Sequence, residues 1–266
     1  MIAAAPGARR DLGLAAWQVR YEQRAFWRNR SRAFFVILMP IMFLVIFGTI
    51  YEGKTTGGRG GGIPYNDYFV PGILAYAVIT TTFVNIAIST AILRDTGVLK
   101  RMQGMPLPRW AYIAGRIGSA ALTMLAMTVL TLLIARVAYG VHVRAATLPG
   151  LLLALALGSA CFTSLGIGIV RFISSAEAAP AVVNFAILPL TFISGVWFVT
   201  DGLAAWLRDL ASIFPVHALA HALQHAFNPY TSGAGIDAGD MRTLAVWLVA
   251  GTVLMVVFLR EPLGDR

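Results

Sequence analysis

Six long stretches without a charged side chain determine what this 266-residue chain can fold into. An α-helix rises about 1.5 Å per residue, so a bilayer core is crossed by about 20 residues, within a range of about 17–25. All six stretches reach that range, and we therefore predict six transmembrane helices. Their predicted bounds are 33–51, 69–93, 113–136, 147–170, 179–199 and 243–259.

These stretches are mainly aliphatic and do not alternate between apolar and polar residues, which excludes a membrane β-barrel. Of all residues, 58% are hydrophobic and only 12% are charged, about half the charged fraction of soluble domains. We predict an all-α integral membrane protein with a single domain over residues 1–266. Residues 1–32 form a basic cytoplasmic or interfacial segment. This segment is not expected to be a cleavable signal, because no cleavage site follows a short apolar core.

Basic residues are distributed unequally between the two sides of the predicted spans. With the N-terminus in the cytoplasm, 15 Lys and Arg residues lie on the inner side and six on the outer side, while the acids divide six and six. Cytoplasmic loops carry the excess of basic residues, so we predict that both termini are cytoplasmic. Arg116 and Arg136 bracket the third span, and we expect their long side chains to snorkel to its two faces.

The stretch GTIYEGKT, residues 48–55, fits the phosphate-binding loop G-x-x-x-x-G-K-[ST] at every required position. A working loop follows a buried strand and leads into a helix, so that backbone N–H groups and the lysine hold phosphates. Here a predicted span precedes Gly48. The following TGGRGGG does not start a stable helix, because each glycine costs about 1 kcal/mol relative to alanine. We interpret the segment as a flexible loop on the outer side.

The uncharged spans also limit the function classes that the chain can serve. Ion-coupled transporters place ionisable residues inside their spans, and channels need a charged ring or a filter of carbonyl groups. No Asp, Glu, Lys or Arg lies within the six apolar runs on which the spans are based, the third of which is 117–135, between Arg116 and Arg136. A secondary transporter or channel is therefore kept only as an alternative.

A serine and three histidines raise the alternative of an enzyme or a metal site. Ser194 and the glycine after it resemble part of an intramembrane serine protease motif, although Phe192 stands where glycine is needed. Close packing of small residues between helices explains the pair better. His217, His221 and His225 recur every four residues, but no acid or cysteine lies nearby to complete a metal site. We expect no catalytic residue, metal or cofactor in this chain, and the role of the histidines stays open.

The basic loop between spans two and three, LRDTGVLKRMQGMPLPRWAYIAGR, is too short for a catalytic domain. Gly104, Pro106 and Pro108 interrupt it, so we predict a helix that continues from span two through Met102 and stops at Gly104. Methionines in the loop favour adaptable apolar contacts. The alternative is a loop that only anchors the helices through its positive charge.

This loop resembles a known family. RDTGVLKR, residues 94–101, followed by MPLP, residues 105–108, is similar to the inner loop in membrane subunits of the ABC-2 family of ATP-binding-cassette exporters. That family shows an acid, a spacer, Gly, often Thr, then Leu and a basic residue, leading to a Pro-Leu step. Asp95 stands where the family usually has Glu, and Val98 stands where Thr is common.

A second similarity lies around the fifth predicted span. PLTFISGVWF, residues 189–198, with FP at 214–215 and AL at 218–219, resembles the family's fifth span and the short outer helices before its last span. A proline that the family often has shortly after span five is missing. The resemblance covers nearly the whole chain and implies short outer re-entrant helices before the last span.

The resemblance implies that transport and ATP hydrolysis belong to different subunits. This chain would be the permease of an exporter, as in drug-resistance transporters, and would pair with a second permease as a homodimer or heterodimer in a bacterial inner membrane. A separate cytoplasmic ATPase would bind ATP and Mg. The inner loop would act as the coupling helix that docks on this ATPase. Its candidate coupling residues are Arg94, Asp95, Gly97, Val98, Leu99, Lys100, Arg101, Met105 and Pro106.

The segment before span one is similar to the family's interfacial connecting helix. Arg20, Arg24, Arg28 and Arg32 recur every four positions, which forms a stripe suited to anionic lipid headgroups. Aromatic residues of the kind enriched at membrane interfaces accompany the stripe, namely Trp17, Tyr21 and Trp27. Because this charge serves the lipid surface, no nucleic-acid partner is expected.

Between spans four and five, Ser174-x-x-Glu177 is typical of a capping box that begins span five. In a capping box the serine and the acid each bond a backbone N–H of the first helical turn. A contact between Glu177 and the ATPase is the alternative interpretation.

Polar and aromatic positions in spans two and five are candidates for a substrate path, because these spans line the dimer cavity in related exporters. Hydrogen bonds between packed membrane helices use the same residue types, which is the alternative explanation. Uncharged spans favour an amphiphilic or hydrophobic cargo, such as a drug or lipid, and a polysaccharide stays open. Export against import also stays open. The candidates are Thr82, Phe83, Asn85, Ser89, Asn184, Thr191 and Phe192.

Overall fold

The computed structural model describes residues 8–56, 62–103 and 109–260, and the regular structure within these ranges is helical. An isolated β-bridge joins Thr55 to Pro64. The α-helices are α1 Ala8–Arg28, α2 Arg30–Ile50, α3 Tyr65–Ile79, α4 Asn85–Asp95, α5 Val98–Gln103, α6 Arg109–Tyr139, α7 Leu148–Gly168, α8 Ala179–Ile193, α9 Ala205–Ile213, α10 Pro215–Phe227 and α11 Ala238–Arg260.

Within the described residues, five helical segments are long and apolar enough to cross a membrane, which confirms the prediction of an all-α integral membrane protein. They are Ala33–Ile50, Tyr65–Asp95, Ile113–Tyr139, Ala145–Phe172 and Ala238–Arg260.

The predicted fifth span, 179–199, forms the shorter apolar helix α8, which has 15 residues and is about 22 Å long. It ends because Gly195 takes the left-handed conformation, with φ of +76°, just after the helix. The Tyr68 hydroxyl then donates to the carbonyls of Gly195 and Phe198, at 3.2 and 3.1 Å. These bonds fold the chain back onto α3 instead of extending the span.

A buried helix, α10, organises the end of the core that is predicted to face outward. It packs against α3, α7 and α11, and its Leu219 and Leu223 are fully buried. Gly158 of α7 permits this approach, because a Cβ there would lie 2.7 Å from the Leu219 side chain. With 13 residues, α10 is about 20 Å long and too short to span the bilayer. The structure thus places short helices, α9 and α10, before the last span, as predicted.

Span two is one long segment with a wider π-helical turn, Thr80–Val84, at its middle. Thr81 and Thr82 donate their hydroxyls to carbonyls one turn earlier, at 2.8 and 2.7 Å, which locally disturbs α-helical geometry. The π turn packs against α7, where a Cβ on Gly166 would lie 2.9 Å from the Phe83 carbonyl oxygen. A close backbone contact therefore joins spans two and four.

Helix α1 packs along α6, and this packing separates its two faces. Gly115 and Gly118 of α6 leave no room for a Cβ, which would lie 2.1 Å from Gln18 and 2.6 Å from Val19. The amide of Gln23 donates to the Ser119 carbonyl at 2.8 Å. The opposite face is exposed and mixes arginines with aromatics, since Trp17 and Tyr21 stack there at 5.8 Å. The arginines and the interface aromatics of α1 therefore share one exposed face.

The stretch GTIYEGKT does not have the geometry of a phosphate-binding loop. Gly48 lies inside α2, packed so tightly on Tyr139 that a Cβ would approach its ring to 2.5 Å. Gly53 forms a turn with φ of +74°, and the ammonium of Lys54 lies 5.0 Å from the centre of the Tyr51 ring. A helix precedes the stretch where a phosphate loop needs a strand.

Candidate coupling site

The end of span two is broken by a tight turn at Thr96 and Gly97. Gly97 has φ of +69° and donates its N–H to the Arg94 carbonyl at 3.0 Å, which is a glycine helix stop. The short helix α5 then begins, with the N–H of Arg101 bonded to the Gly97 carbonyl at 3.0 Å. The prediction of one helix continuing through Met102 is therefore wrong, because Gly97 redirects the chain before that point.

Arg94 and Asp95 tie this turn to the loop that follows span four. The guanidinium of Arg94 donates to the Val170 carbonyl at 2.8 Å and forms an ion pair with Asp95 at 3.1 Å. The second carboxylate oxygen of Asp95 accepts the N–H of Ala176. Hydrogen bonds to charged groups stabilise by about 1.5–3 kcal/mol, more than the ion pair of such partly exposed groups does. The two inner loops are therefore held as one unit.

Ser175 stabilises the turn before α8. Its hydroxyl accepts the N–H of Ala178 at 3.2 Å, while Ser174 and Glu177 are exposed. The predicted capping box of Ser174 with Glu177 is therefore wrong. The serine that accepts a backbone N–H is the next residue, Ser175. The carboxylate that accepts a backbone N–H of this turn comes from Asp95 on the other loop, whereas the capping box predicted that Glu177 would accept such a bond.

Helix α5 presents a mixed surface on the side predicted to be cytoplasmic. Leu99 is only 5% exposed and anchors the helix, whereas Arg101 is exposed and bonds the Thr96 carbonyl at 3.1 Å. Val98 is half-buried. The predicted coupling residues Met105 and Pro106 lie outside the described residues, and the side chain of Lys100 is not described. Within the described part, the predicted coupling residues lie together at one end of the bundle.

Arg116 is the functional candidate that sequence reasoning missed. Its side chain is 2% exposed, so the prediction that it snorkels to the membrane face is wrong. Its guanidinium donates to the Glu22 carboxylate at 3.3 Å and to the Ser89 hydroxyl at 3.0 Å. These contacts join α6 to α1 and α4. The available signal was Glu22, which is the single acid between Asp11 and Glu52.

The predicted substrate-path residues divide into two groups. The first group is enclosed by the rest of the chain. Its buried members are Thr82, Phe83, Ser89 and Thr191, and Asn85 is half-buried.

The second group consists of Asn184 and Phe192, which are exposed on α8. Phe185, which follows Asn184, is 83% exposed. The buried threonine hydroxyls bond carbonyls of their own helices, from Thr82 to Val78 at 2.7 Å and from Thr191 to Leu188 at 2.8 Å. Among the predicted substrate-path residues, Asn184 and Phe192 on α8 are therefore the ones whose side chains are exposed on the surface of a single chain.

Among the described residues, Ser194 lacks the hydrogen bond to a base that the nucleophile of an intramembrane hydrolase needs. This serine is 2% exposed, and its hydroxyl has no hydrogen-bond partner among the described residues. A nucleophilic serine is recognised by a base within hydrogen-bond reach. None of His217, His221 and His225 provides that base. His221 instead bonds Asp240 at 2.7 Å.

The fold and the joined loops define a multi-pass membrane protein with a structured candidate site at one end of the helix bundle. Residues 16–228 match the model of the ABC-2 type transporter family, and the chain belongs to this family. It is therefore a membrane permease of the ABC-2 type, as the resemblance of its inner loop predicted.

Among known proteins, the chain is similar to the inner membrane transport permease YadH of Escherichia coli strain K12. The two are 25% identical over 194 residues, which cover 72% of this chain and 73% of the relative. Proteins of the same name from Escherichia coli O157:H7 and Shigella flexneri match to the same extent.

Proposed function

We propose that this chain is the membrane subunit of an ATP-driven exporter, energised by a separate ATPase that docks on α5 and the joined inner loops. ATP and Mg bind to that partner. The observation that carries the proposal is the contact of Arg94 and Asp95 with Val170 and Ala176. Force applied to α5 reaches span two, the end of span four and the loop before α8 together, because these bonds connect all three.

The Arg116 network supports this route of coupling. It joins span two at Ser89 to span three and to Glu22 of α1, on the same side of the bundle as α5. A movement of the inner end of span two therefore displaces α1 as well. Since α1 exposes arginines and aromatics, its free face suits the cytoplasmic lipid surface.

The exposed face of α8 supports pairing with a second permease subunit around a transport path. Phe185 and Phe192 expose large aromatic surfaces, and the exposed Asn184 precedes Phe185 in the same helix. An uncharged, aromatic surface suits an amphiphilic or hydrophobic cargo, such as a drug or lipid-like molecule. The pairing partner is a second copy of this chain or a similar permease. Such an assembly belongs in the inner membrane of a bacterium with both termini in the cytoplasm. The inner-membrane permeases to which the chain is similar support this location, and the excess of basic residues in the predicted inner loops supports this orientation.

Reconstitution with a soluble ATP-binding-cassette protein, chosen from the genes that neighbour this one if they encode one, tests the proposal. We expect co-purification of the two chains and ATP-dependent movement of a fluorescent amphiphile in liposomes. Asp95→Ala should reduce ATP-dependent transport about tenfold or more, because span two loses its bond to the loop before α8. Glu177→Ala is the matched control, since this exposed acid lies next to Ala176 and is not one of the residues whose bonds join the two loops.

The alternatives give different outcomes in the same liposomes. Movement of the amphiphile by a proton gradient, without the ATPase, would indicate a secondary transporter. Passive ion conductance by the purified chain would indicate a channel. Either result would contradict the exporter proposal. Loss of transport in Lys54→Ala would instead contradict our interpretation of GTIYEGKT as a loop without a phosphate-binding role.

A further inference from the structure

A histidine and two aspartates converge where the buried helix α10 meets the start of α11. The Nδ1 atom of His221 lies 2.7 Å from a carboxylate oxygen of Asp240. Asp237 lies beside them, and one of its oxygens accepts the N–H of Asp240 at 3.0 Å. One ligand atom from each of the three residues lies within 4.8 Å of the others. The fold thus supplies the acids that are absent around the histidines in the sequence.

The donor set of this cluster suits a divalent transition metal. Zn²⁺ binds imidazole nitrogen and carboxylate oxygen at about 2.0–2.2 Å, so tetrahedral ligand atoms lie about 3.3 Å apart. The three side chains need only small movements to reach that spacing. Two carboxylates and a neutral imidazole also balance the charge of the ion. Hydrogen bonding to the N–H of Asp240 lowers the pKa of Asp237, which keeps this carboxylate ionised.

The cluster is held on a rigid support and is open on one side. Asp240 is buried in the first turn of α11, and α10 is fixed by its buried leucines. The His221 side chain is 51% exposed, so an ion can reach it from solvent. The ring of His217 stacks on His221 with centroids 5.8 Å apart, and His225 lies one turn further along α10. Two more imidazoles on this helix are therefore available near the open position.

We propose that His221, Asp237 and Asp240 bind a divalent transition metal of the zinc type, which bridges α10 to the last span. Such an ion locks the re-entrant helix to α11 at the end of the molecule predicted to face outward. This site is independent of ATP coupling, because it lies on different helices from α5 and needs no ATPase.

Zinc titration of the purified full-length chain tests this site. The chain is freed of metal with EDTA, returned to detergent buffer and titrated with Zn²⁺ against a chromophoric zinc chelator. We expect one Zn²⁺ per chain and a higher midpoint of thermal unfolding in its presence. His221→Ala and Asp237→Asn should each weaken binding about 100-fold, at least as much as loss of a supporting residue does in known metal sites.

Two controls separate metal binding from structural damage. Asn at position 237 still caps a helix, so Asp237→Asn should keep the metal-free unfolding midpoint of the wild type. His142→Ala removes an exposed histidine outside the cluster and should leave zinc affinity unchanged. Absence of zinc binding by the wild type, or equal affinity in the wild type and Asp237→Asn, would overturn the proposal. The His221–Asp240 contact would then be a hydrogen bond alone.

Discussion

The two ends of the helix bundle are held together by different kinds of interaction. At the inner end, charged side chains reach between elements, as Arg94 does to Val170 and Arg116 does to Glu22 and Ser89. At the other end, α10 is enclosed by apolar side chains and by glycines that allow close backbone contact. Polar bonds are directional and few, so they transmit a displacement between chosen elements. Close packing is spread over many atoms and keeps the enclosed helix in place.

Removal of Arg116 should have the largest effect on stability. Arg116→Ala leaves the Glu22 carboxylate partly buried without its cation, which costs about 3–5 kcal/mol for buried ion pairs. The midpoint of thermal unfolding in detergent micelles measures this loss. Arg136→Ala truncates the exposed arginine at the other end of α6 and should cost less than about 1 kcal/mol. Equal effects of the two substitutions would show that the inner polar network does not stabilise the bundle.

Overpacking at Gly72 should have the next largest effect and tests the close-packed end. A Cβ at this position would lie 2.3 Å from the Val196 carbonyl oxygen, and backbone atoms cannot turn aside. We expect Gly72→Ala to destabilise the protein by about 1–3 kcal/mol, measured by the same unfolding assay. Gly202→Ala is the control, because nothing lies within 4 Å of a Cβ there. An unchanged midpoint for Gly72→Ala would contradict the close contact.

Substitution of Gly97 should cost less stability. Gly97→Ala meets no neighbouring atom, so only its φ of +69° opposes the new side chain, at about 1–2 kcal/mol. Gly13→Ala, within α1, also meets no neighbour and should stabilise the helix by about 1 kcal/mol. The midpoint of thermal unfolding should therefore be lower than that of the wild type for Gly97→Ala and higher for Gly13→Ala. Stabilisation by Gly97→Ala would mean that span two and α5 form one continuous helix.

Loss of the serine cap before α8 should have the smallest effect. Ser175→Ala removes the acceptor for the Ala178 N–H and should cost about 1 kcal/mol. Ser174→Ala, at the neighbouring position, should be close to neutral, because Ser174 is exposed. Comparison of their unfolding midpoints distinguishes the observed cap from the one predicted by the sequence pattern. A larger loss of stability for Ser174→Ala than for Ser175→Ala would support the capping box predicted from the sequence.

Patterns that act within one helix were predictable, and contacts between distant segments were not. The apolar stretches predicted the membrane helices because hydrocarbon imposes length and composition on any spanning segment. The left-handed turn at Gly97 and the end of α8 at Gly195 were missed, because an isolated glycine in an apolar or basic stretch also fits a continuing helix. Arg116 was expected at the surface, since its partner Glu22 is 94 residues away in the chain.

The amino-acid sequence by itself determined five membrane helices and the resemblance to the ABC-2 family, because each depends on residue types in short, uninterrupted patterns. Only the tertiary structure decided which side chains meet. It joined Asp95 to Ala176, buried Arg116 against Glu22 and brought Asp240 to His221. The physical reason is that spacing along one helix specifies a face, whereas the partner of that face is selected by packing between segments far apart in the chain.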